Sequence, residues 1–236
     1  MKKVLVTGSS GFIGRHLIIK LKELGYYVIG LDLVNIDDKN LDLFYQLDIV
    51  DYLPNIDIDI IYHLAGSAEP SVCDKDPINT LNTYISGTNK ALSLAQNQNC
   101  KIIVPSTINV ETYQGVPGDR NYSYIVSKLT TDTLCYYYKQ AGVNVNIVRL
   151  ANVYGPNFIE TDTRVVPTFI KKFKNKENIQ TSEDTRSFVY INTVVDLLLN
   201  CETDTKIISE PIKIKDLALK IEQTILDKEL NLTWMN

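Results

Sequence analysis

A tyrosine and a lysine stand four residues apart, at Tyr124 and Lys128, in a segment with helical periodicity. On a helix this spacing brings the phenol and the ammonium to the same face. The ordinary pKa of a phenol, about 10, is too high for a base at neutral pH, but a nearby positive charge favours the phenolate. We therefore predict that Tyr124 is a general acid/base for a substrate hydroxyl and that Lys128 lowers its pKa. Because this spacing is common by chance, the prediction depends on what the rest of the chain binds.

A glycine-rich turn near the N-terminus could hold a cofactor beside this pair. Residues 4–7 form an apolar run typical of a buried strand, and the turn that follows opens an amphipathic helix. Gly8 would permit a tight turn, Gly11 would let the main chain approach phosphates, and Gly14 would let the helix pack closely on the strand. The N–H groups at the start of that helix suit an anion. Alone, the pattern also fits a glycine-rich loop with no ligand.

The next predicted strand, residues 27–31, ends in Asp32. This carboxylate comes about 20 residues after the glycines, where it can accept hydrogen bonds from an adenosine ribose. The pairing of glycine turn and acid predicts a dinucleotide site. Because Asp32 would repel a 2′-phosphate, we expect NAD rather than NADP.

Strand and helix patterns alternate through the first two thirds of the chain, which predicts an α/β fold with a Rossmann-type, doubly wound parallel sheet. The predicted strands cover residues 4–7, 27–31, 44–48, 60–65, 101–106 and 145–150, and the long helices cover residues 13–24, 77–98 and 122–141. Beyond residue 155 the alternation loosens into helices near 164–174, up to 199 and at 214–228, with a strand at 188–191. We expect an NAD-binding domain at residues 1–155 and a small, shortened C-terminal substrate lobe at residues 156–236.

Composition excludes several classes of partner. The net charge is −4, and no run rich in Lys and Arg occurs, so neither nucleic acid nor an acidic membrane surface is an expected partner. No apolar run approaches the ~20 residues that span a bilayer, and the first strand begins too early to leave room for a signal peptide. The four cysteines are scattered without metal-ligand spacing. We expect reduced thiols, no metal and a cytoplasmic protein.

Taken together, these stretches resemble the extended short-chain dehydrogenase/reductases that act on nucleotide sugars, the UDP-glucose 4-epimerase type among them. The resemblance runs from residue 3 to about residue 220. Its matching motifs are residues 7–14, 63–66, 105–107, 149–156, 164–167 and 186–190, together with Asp32, Asp48 and the pair Tyr124 and Lys128.

The resemblance implies a site and a reaction for this chain. Thr107, Tyr124 and Lys128 would be the catalytic residues, Asn152 and Arg186 would contact the substrate diphosphate, and two long helices would form a homodimer interface. The implied NAD contacts are Gly8, Gly11, Phe12, Ile13, Gly14, Asp32, Asp48, Ile49, Leu64, Ala65, Gly66, Tyr124 and Lys128. The implied function is an NAD-dependent nucleotide-sugar 4-epimerase that works by reversible hydride transfer through a 4-keto intermediate.

Departures from the family pattern keep other functions open. Tyr84 replaces the usual Asn, and Ile108 and Asn109 stand where the 4,6-dehydratases have Asp-Glu and the decarboxylases have Glu. Dehydration needs a carboxylic acid, so these two residues argue against it. The chain also ends before the family pattern does, and we expect part of the substrate lobe to be missing. The alternatives are a nucleotide-sugar 4-ketoreductase or dehydrogenase, and a noncatalytic dinucleotide-binding protein.

Three aromatic positions have a structural rather than a chemical interpretation. We expect His16 and His63 to be structural residues, and Trp234 to be a packing anchor for the tail.

Overall fold

The structure is a computed structural model that describes residues 1–51, 53–54, 56–117, 121–156 and 162–233, with side chains up to residue 226. Trp234 lies outside the described residues. The strands are β1 (Lys3–Thr7), β2 (Tyr27–Asp32), β3 (Leu43–Gln46), β4 (Ile60–His63), β5 (Lys101–Thr107), β6 (Val145–Leu150), β7 (Asn152–Tyr154), β8 (Thr185–Arg186), β9 (Phe188–Tyr190), β10 (Thr205–Ile207) and β11 (Ile212–Lys213). The helices are α1 (Phe12–Glu23), α2 (Pro70–Lys75), α3 (Pro77–Asn82), α4 (Thr88–Gln98), α5 (Tyr122–Gln140), α6 (Val165–Lys174), α7 (Ile191–Leu199) and α8 (Ile214–Thr233).

Within the described part of the chain, seven parallel strands form the central sheet in the order β10-β6-β5-β4-β1-β2-β3. The chain runs outward from β1 through β2 to β3 and then returns to place β4 on the other side of β1. The predicted doubly wound fold is therefore confirmed. Ligands of such sheets bind beyond the carboxyl ends of the strands where the order reverses, which here is between β1 and β4.

Helices cover both faces of the sheet. On one face α1 and α7 bury Leu17, Leu21 and Val194 against the strands, and on the other α4 and α5 bury Leu92 and Cys135. A smaller apolar cluster joins α6 to α8. These two layers hold the strand ends, and the loops that follow them, in fixed positions.

The predicted helix at residues 77–98 begins as expected but is not continuous. Pro77 occupies its first turn, and the Asp76 carboxylate accepts a hydrogen bond from the Asn79 N–H at 3.1 Å, which is a normal N-cap. A π-helical turn, Thr83–Gly87, then separates α3 from α4. Such turns occur often at functional sites, and this one carries Tyr84.

Part of the predicted C-terminal lobe belongs to the sheet layer. Helix α7 packs on α1, and β10 pairs in parallel with β6, so residues 191–207 complete the sheet. The sequence prediction missed β10 and the short helix α2. Of the strands in the pairs β7–β9 and β8–β11, it found only β9, predicted at residues 188–191. The predicted third strand, residues 44–48, is observed at Leu43–Gln46.

Candidate functional site

The glycine turn after β1 is packed too closely for side chains. Gly8 has a φ of +70°, and a Cβ atom there would lie 2.6 Å from the Leu64 carbonyl carbon. A Cβ atom on Gly14 would lie 2.3 Å from the Gly8 oxygen, whereas one on Gly11 would lie 3.2 Å from it. The start of α1, with Phe12 and Ile13, therefore sits directly against the turn. This bare backbone beside a helix N-terminus fits the pyrophosphate of a dinucleotide.

Asp32 ends β2 beside this turn, as predicted. Its carboxylate accepts hydrogen bonds from the Ser10 N–H and the Val34 N–H, both at 3.0 Å. The Ser10 hydroxyl donates to the Val34 carbonyl at 2.6 Å. Asp32 thus fastens the glycine turn to the loop after β2, a role that sequence reasoning did not assign to it.

Asp48 and Ile49 lie in the loop after β3. The Asp48 carboxylate accepts a hydrogen bond from the Val50 N–H at 3.0 Å. The Ile49 side chain is buried, and a Cβ atom on Gly87 would lie 2.7 Å from its Cγ2. The Ile49 side chain thus packs against the π-helical turn. Any contact of this residue with a cofactor would therefore come from its backbone.

The segment after β4 contains Leu64, Ala65 and Gly66, and it closes on the end of β1. The Leu64 N–H donates to the Thr7 carbonyl at 3.0 Å, and the Ala65 N–H donates to Thr7 Oγ1 at 3.3 Å. Gly66 has a φ of +122°. The ends of β1 and β4 are thereby held together at the point where the strand order reverses.

His63 ties three elements together. Its Nδ1 lies 2.9 Å from Thr7 Oγ1, and its Nε2 lies 3.0 Å from Thr88 Oγ1 at the start of α4. Burial, together with the positive charge of Lys128, lowers the pKa of His63 from 6.5 to about 3. The ring is therefore neutral at physiological pH, and the predicted structural role is confirmed. His16 contacts the Phe12 ring and the Pro156 carbonyl.

The structure brings Thr107, Tyr124 and Lys128 together at the carboxyl end of β5. Thr107 is the last residue of β5, and its side chain lies close enough to the Tyr124 side chain, in the first turn of α5, to lower the pKa of that phenol. The Asn109 N–H donates to Thr107 Oγ1 at 3.3 Å, which orients this hydroxyl from the other side. A phenol and a hydroxyl in contact can pass a proton to and from a substrate oxygen.

The predicted effect of Lys128 on Tyr124 is wrong in this structure. Burial raises the pKa of Tyr124 to about 12, against a smaller lowering by the Thr107 hydrogen bond. Lys128 instead donates from Nζ to the Pro105 carbonyl at 2.9 Å. Burial lowers the pKa of Lys128 to about 8, and the negative charge of Asp132 opposes that change. The helical spacing is thus as predicted, but the lysine serves other partners.

Sequence reasoning missed Asp132, which lies one turn beyond Lys128 on α5. Both Nε and Nη2 of Arg149 donate to Asp132 Oδ2, at 3.1 and 2.7 Å. The signal was present as three functional side chains spaced by four residues, at Tyr124, Lys128 and Asp132.

The two predicted substrate contacts lie on neighbouring segments. Asn152 begins β7, and its backbone N–H and side-chain amide both donate to the Ser187 carbonyl, at 3.1 and 3.0 Å. Arg186 immediately precedes Ser187 and pairs in register with Ile212. Within the described residues, no carboxylate forms an ion pair with Arg186, so its guanidinium can meet an anion.

Arg164 connects the segment before α6 to the start of α1, beside the glycine turn. Its Nε donates to both Asp162 oxygens, at 3.0 and 2.9 Å, and its guanidinium carbon lies 4.2 Å from the centroid of the Phe12 ring. This stacked cation is already paired, and its role in the structure is to hold the segment before α6 against the start of α1.

Two kinds of feature are absent from the described ranges. No helix there has the length and apolar character needed to cross a membrane. No group of three His, Cys, Asp or Glu side chains there could hold a metal ion. The four cysteines are all buried and unpaired.

Comparison with known proteins identifies the family. The sequence model of the NAD dependent epimerase/dehydratase family matches residues 4–206. The chain belongs to this family. The resemblance to extended short-chain dehydrogenase/reductases is thereby confirmed.

Curated relatives within the NAD dependent epimerase/dehydratase family include UDP-glucuronic acid decarboxylases. UDP-glucuronic acid decarboxylase 1 of Xenopus tropicalis is 34% identical over 224 residues, which cover 84% of this chain and 53% of that protein. The Arabidopsis thaliana protein of the same name is 32% identical and is covered to 51%. The chain thus spans about half the length of the curated relatives it matches.

Solved structures of the same fold include an epimerase. The UDP-glucose 4-epimerase of Thermotoga maritima, solved with UDP-glucose, matches with a TM-score of 0.80 at 25% identity, over 94% of this chain and 82% of that one. Pal from Bacillus thuringiensis matches with a TM-score of 0.78 at 26% identity, over 94% of this chain and 82% of that one.

The positions at which this family member departs from the family pattern lie next to Thr107, Tyr124 and Lys128. Ile108 and Asn109 open the 3-10 turn Ile108–Glu111, directly after Thr107. Tyr84 is buried in the π-helical turn, where its ring lies under the Lys128 ammonium. Both departures therefore alter the surroundings of these three residues rather than a distant surface.

Proposed function

We propose that this chain is an NAD-dependent nucleotide-sugar 4-epimerase that reversibly oxidises the C4 hydroxyl through a 4-keto intermediate. The observation that carries the proposal is the contact between the Tyr124 and Thr107 side chains at the carboxyl edge of the sheet, with Lys128 one turn away. A protein that only binds a dinucleotide has no need of all three. Tyr84 favours that noncatalytic alternative, because it changes the environment of Lys128.

The cofactor proposal rests on the glycine turn and on the acids and loops beside it. Gly8, Gly11 and Gly14 would receive the NAD pyrophosphate, and Asp32 the adenosine ribose. The remaining contacts would come from Phe12, Ile13, Asp48, Ile49, Leu64, Ala65, Gly66, Tyr124 and Lys128. When bound, NAD supplies a hydride acceptor and a positively charged nicotinamide ring.

Tyr124 would take the proton of the C4 hydroxyl and return it to the product. Thr107 would hold the same oxygen, and Lys128 would hold the nicotinamide ribose. Because burial raises the pKa of Tyr124 to about 12, its phenolate needs a nearby positive charge to form at neutral pH.

The surroundings of Thr107 favour epimerisation over decarboxylation or dehydration. Ile108 carries no acid, and Asn109 has a side-chain amide in place of one, while its backbone N–H donates to Thr107 Oγ1. The first carboxylate after Thr107 along the chain, Glu111, pairs with Lys206 at 2.9 Å on the outer edge of the sheet. No carboxylic acid on this turn is therefore directed at the reacting carbon.

UDP-glucuronate decarboxylation is the second candidate, favoured by the names of the curated relatives. A 4-ketoreductase or dehydrogenase would use the same residues and would differ by net consumption of cofactor.

Arg186 supports a nucleoside-diphosphate sugar as the substrate. A guanidinium without an acidic partner can bind a diphosphate with two parallel hydrogen bonds. Asn152 lies beside it, held by the Ser187 carbonyl. We propose that residues 1–155 chiefly bind NAD, that the sheet is completed by residues 191–207, and that the rest of residues 156–236 binds the sugar nucleotide.

Two further properties are proposals. Tyr136 and Tyr137 on α5 are 57% and 64% exposed, which supports a homodimer formed through that helix. The four unpaired cysteines support a reducing compartment, the cytoplasm. The charge pattern does not favour nucleic acid or a membrane surface as a partner.

The test is to incubate the purified protein and NAD with UDP-glucose, UDP-galactose, UDP-N-acetylglucosamine and UDP-glucuronic acid. Product identity is followed by NMR together with the absorbance of reduced cofactor. The proposal expects a C4 epimer without net NADH formation. Release of CO₂ from UDP-glucuronic acid would favour the decarboxylase, net oxidation or reduction would favour the dehydrogenase, and NAD binding without turnover would favour the noncatalytic protein.

A further inference from the structure

Tyr84 is held at two points beside the catalytic lysine. Its side chain is only 2% exposed, and its hydroxyl donates to the Ser67 carbonyl at 2.7 Å. A Cβ atom on Gly66 would lie 2.8 Å from the Tyr84 Cζ, so the ring also packs directly on the backbone after β4. The ring therefore has one orientation, and Gly66 is the residue that leaves room for it.

The face of this ring is turned to Lys128. Lys128 Nζ lies 4.8 Å from the ring centroid, within the range of a cation–π interaction. The same Nζ donates to the Pro105 carbonyl at 2.9 Å. The ammonium thus contacts both a carbonyl of β5 and an aromatic face, and neither contact comes from the helix that carries the lysine.

We propose that Tyr84 is a positioning residue for Lys128, with its ring holding the ammonium at the end of β5. The inference rests on the proposed function only in the role of Lys128, which is to hold the nicotinamide ribose. Tyr84 thereby has a role that the Asn of the family pattern could not fill, because an amide presents no aromatic face.

Several titratable groups face Lys128 and must be considered with it. Those on its own helix are Tyr124, Asp132 and Cys135, and those on elements packed against it are Cys73 on α2, His63 on β4, Tyr84 on the π-helical turn and Arg149 on β6, the last through Asp132. His63 is neutral, and the buried thiols have raised pKa values, so Asp132 is the charged group that opposes burial. The Tyr84 ring adds to Asp132 in favouring the charged lysine.

The experiment is a pH titration of Lys128 in the NAD-free protein, by NMR of protein labelled with ¹³C-lysine. The Lys128 signal is assigned by its absence in Lys128→Arg. In the wild type its ε-methylene resonance should lie upfield of those of exposed lysines, because it lies over an aromatic ring. Replacing the ring by Tyr84→Leu should remove that upfield position and lower the titration midpoint by about one pH unit.

Tyr84→Phe is the matched control, because it keeps the ring face and loses only the bond to Ser67. It should keep both the upfield position and the wild-type midpoint. Tyr84→Met serves as a second variant without a ring, since its flexible side chain fills a core gap if the leucine variant folds poorly. An ordinary Lys128 resonance in the wild type, or an unchanged or raised midpoint in the folded leucine or methionine variant, would overturn the proposal.

Calorimetry with NAD separates this inference from the proposed function. In the variants without a ring, NAD should bind about tenfold more weakly than in the wild type, and Tyr84→Phe should restore most of the loss. If the wild type binds no NAD, the proposed function fails while the titration still reports on Tyr84. If the wild type binds NAD and the ringless variants bind it equally well, the positioning role fails and the proposed function stands.

Discussion

Gly14 lies in the first turn of α1, where it gives the sharpest test of the glycine turn. A Cβ atom there would lie 2.3 Å from the Gly8 oxygen and 2.8 Å from the Ser9 Cα, and both are backbone atoms that cannot rotate away. Gly14 is not among the glycines with positive φ, so Gly14→Ala adds a steric clash without backbone strain. To restore ordinary contact at 3.4 Å, α1 must move about 1 Å away from the turn.

The size of the effect follows from two opposing contributions. Overpacking of this kind costs about 1–3 kcal/mol, whereas alanine is favoured over glycine within a helix by about 1 kcal/mol. We expect the free energy of unfolding in urea to fall by about 0–2 kcal/mol. Because the displaced helix N-terminus is part of the pyrophosphate site, the Kd for NAD should rise about tenfold or more.

Gly25→Ala is the matched control at the other end of α1. Gly25 has a φ of +78° and no heavy atom within 4 Å of a built Cβ, so alanine there costs about 1–2 kcal/mol through strain alone. It should destabilise the protein to a similar extent and leave NAD binding unchanged, as measured by calorimetry. If Gly14→Ala unfolds at the wild-type urea concentration and binds NAD normally, or if Gly25→Ala loses NAD binding equally, the account of the turn is refuted.

Three further predictions concern the pH dependence of stability, the choice of cofactor and the binding of the nucleotide. Because the pKa of His63 is lowered from 6.5 to about 3, its contribution to stability is full above pH 6.5 and is lost as the pH falls towards 3. Between pH 3 and 6.5 the free energy of unfolding, measured in urea, should therefore rise with pH less steeply in His63→Gln than in the wild type, by about 1.4 kcal/mol per pH unit. Equal slopes in the two proteins would contradict the assignment. In paired calorimetric titrations, the ratio of the Kd for NADP to the Kd for NAD should be smaller in Asp32→Asn than in the wild type. If the wild type binds NADP more tightly than NAD, Asp32 does not select the cofactor. Arg186→Ala should weaken UDP binding roughly 10- to 100-fold with Arg186→Lys restoring it only in part, and UDP binding that does not change would remove Arg186 from the site.

Most of the sheet could be predicted because its strands are apolar runs bounded by turn residues. The exceptions have physical reasons. Strand β10 is Thr-Lys-Ile at the sheet edge, too short and too polar to be recognised without its partner β6. The helical periodicity of residues 77–98 continues through the π-helical turn, so the sequence alone does not reveal where Tyr84 is turned inward.

The sequence predicts which residues converge at the site, but it does not predict how they interact. Thr107, Tyr124 and Lys128 meet as expected because strand ends and helix starts share one edge of the sheet. The predicted lowering of the Tyr124 pKa by Lys128 was wrong because the phenol is buried, and burial raises its pKa. Lys128 instead hydrogen-bonds to the Pro105 carbonyl and contacts the Tyr84 ring. Both partners are distant in sequence and come near only in the fold.

The most direct test of the central claim is a comparison of the wild type with Tyr124→Phe, in turnover of the nucleotide sugar that the panel identifies and in NAD binding by calorimetry. Losing the acid/base group should reduce kcat by about 10²–10⁴-fold while the Kd for NAD changes little, since the phenylalanine keeps the ring. If Tyr124→Phe interconverts the C4 epimers at the wild-type rate, Tyr124 is not the proton-transfer group and the proposed mechanism is contradicted.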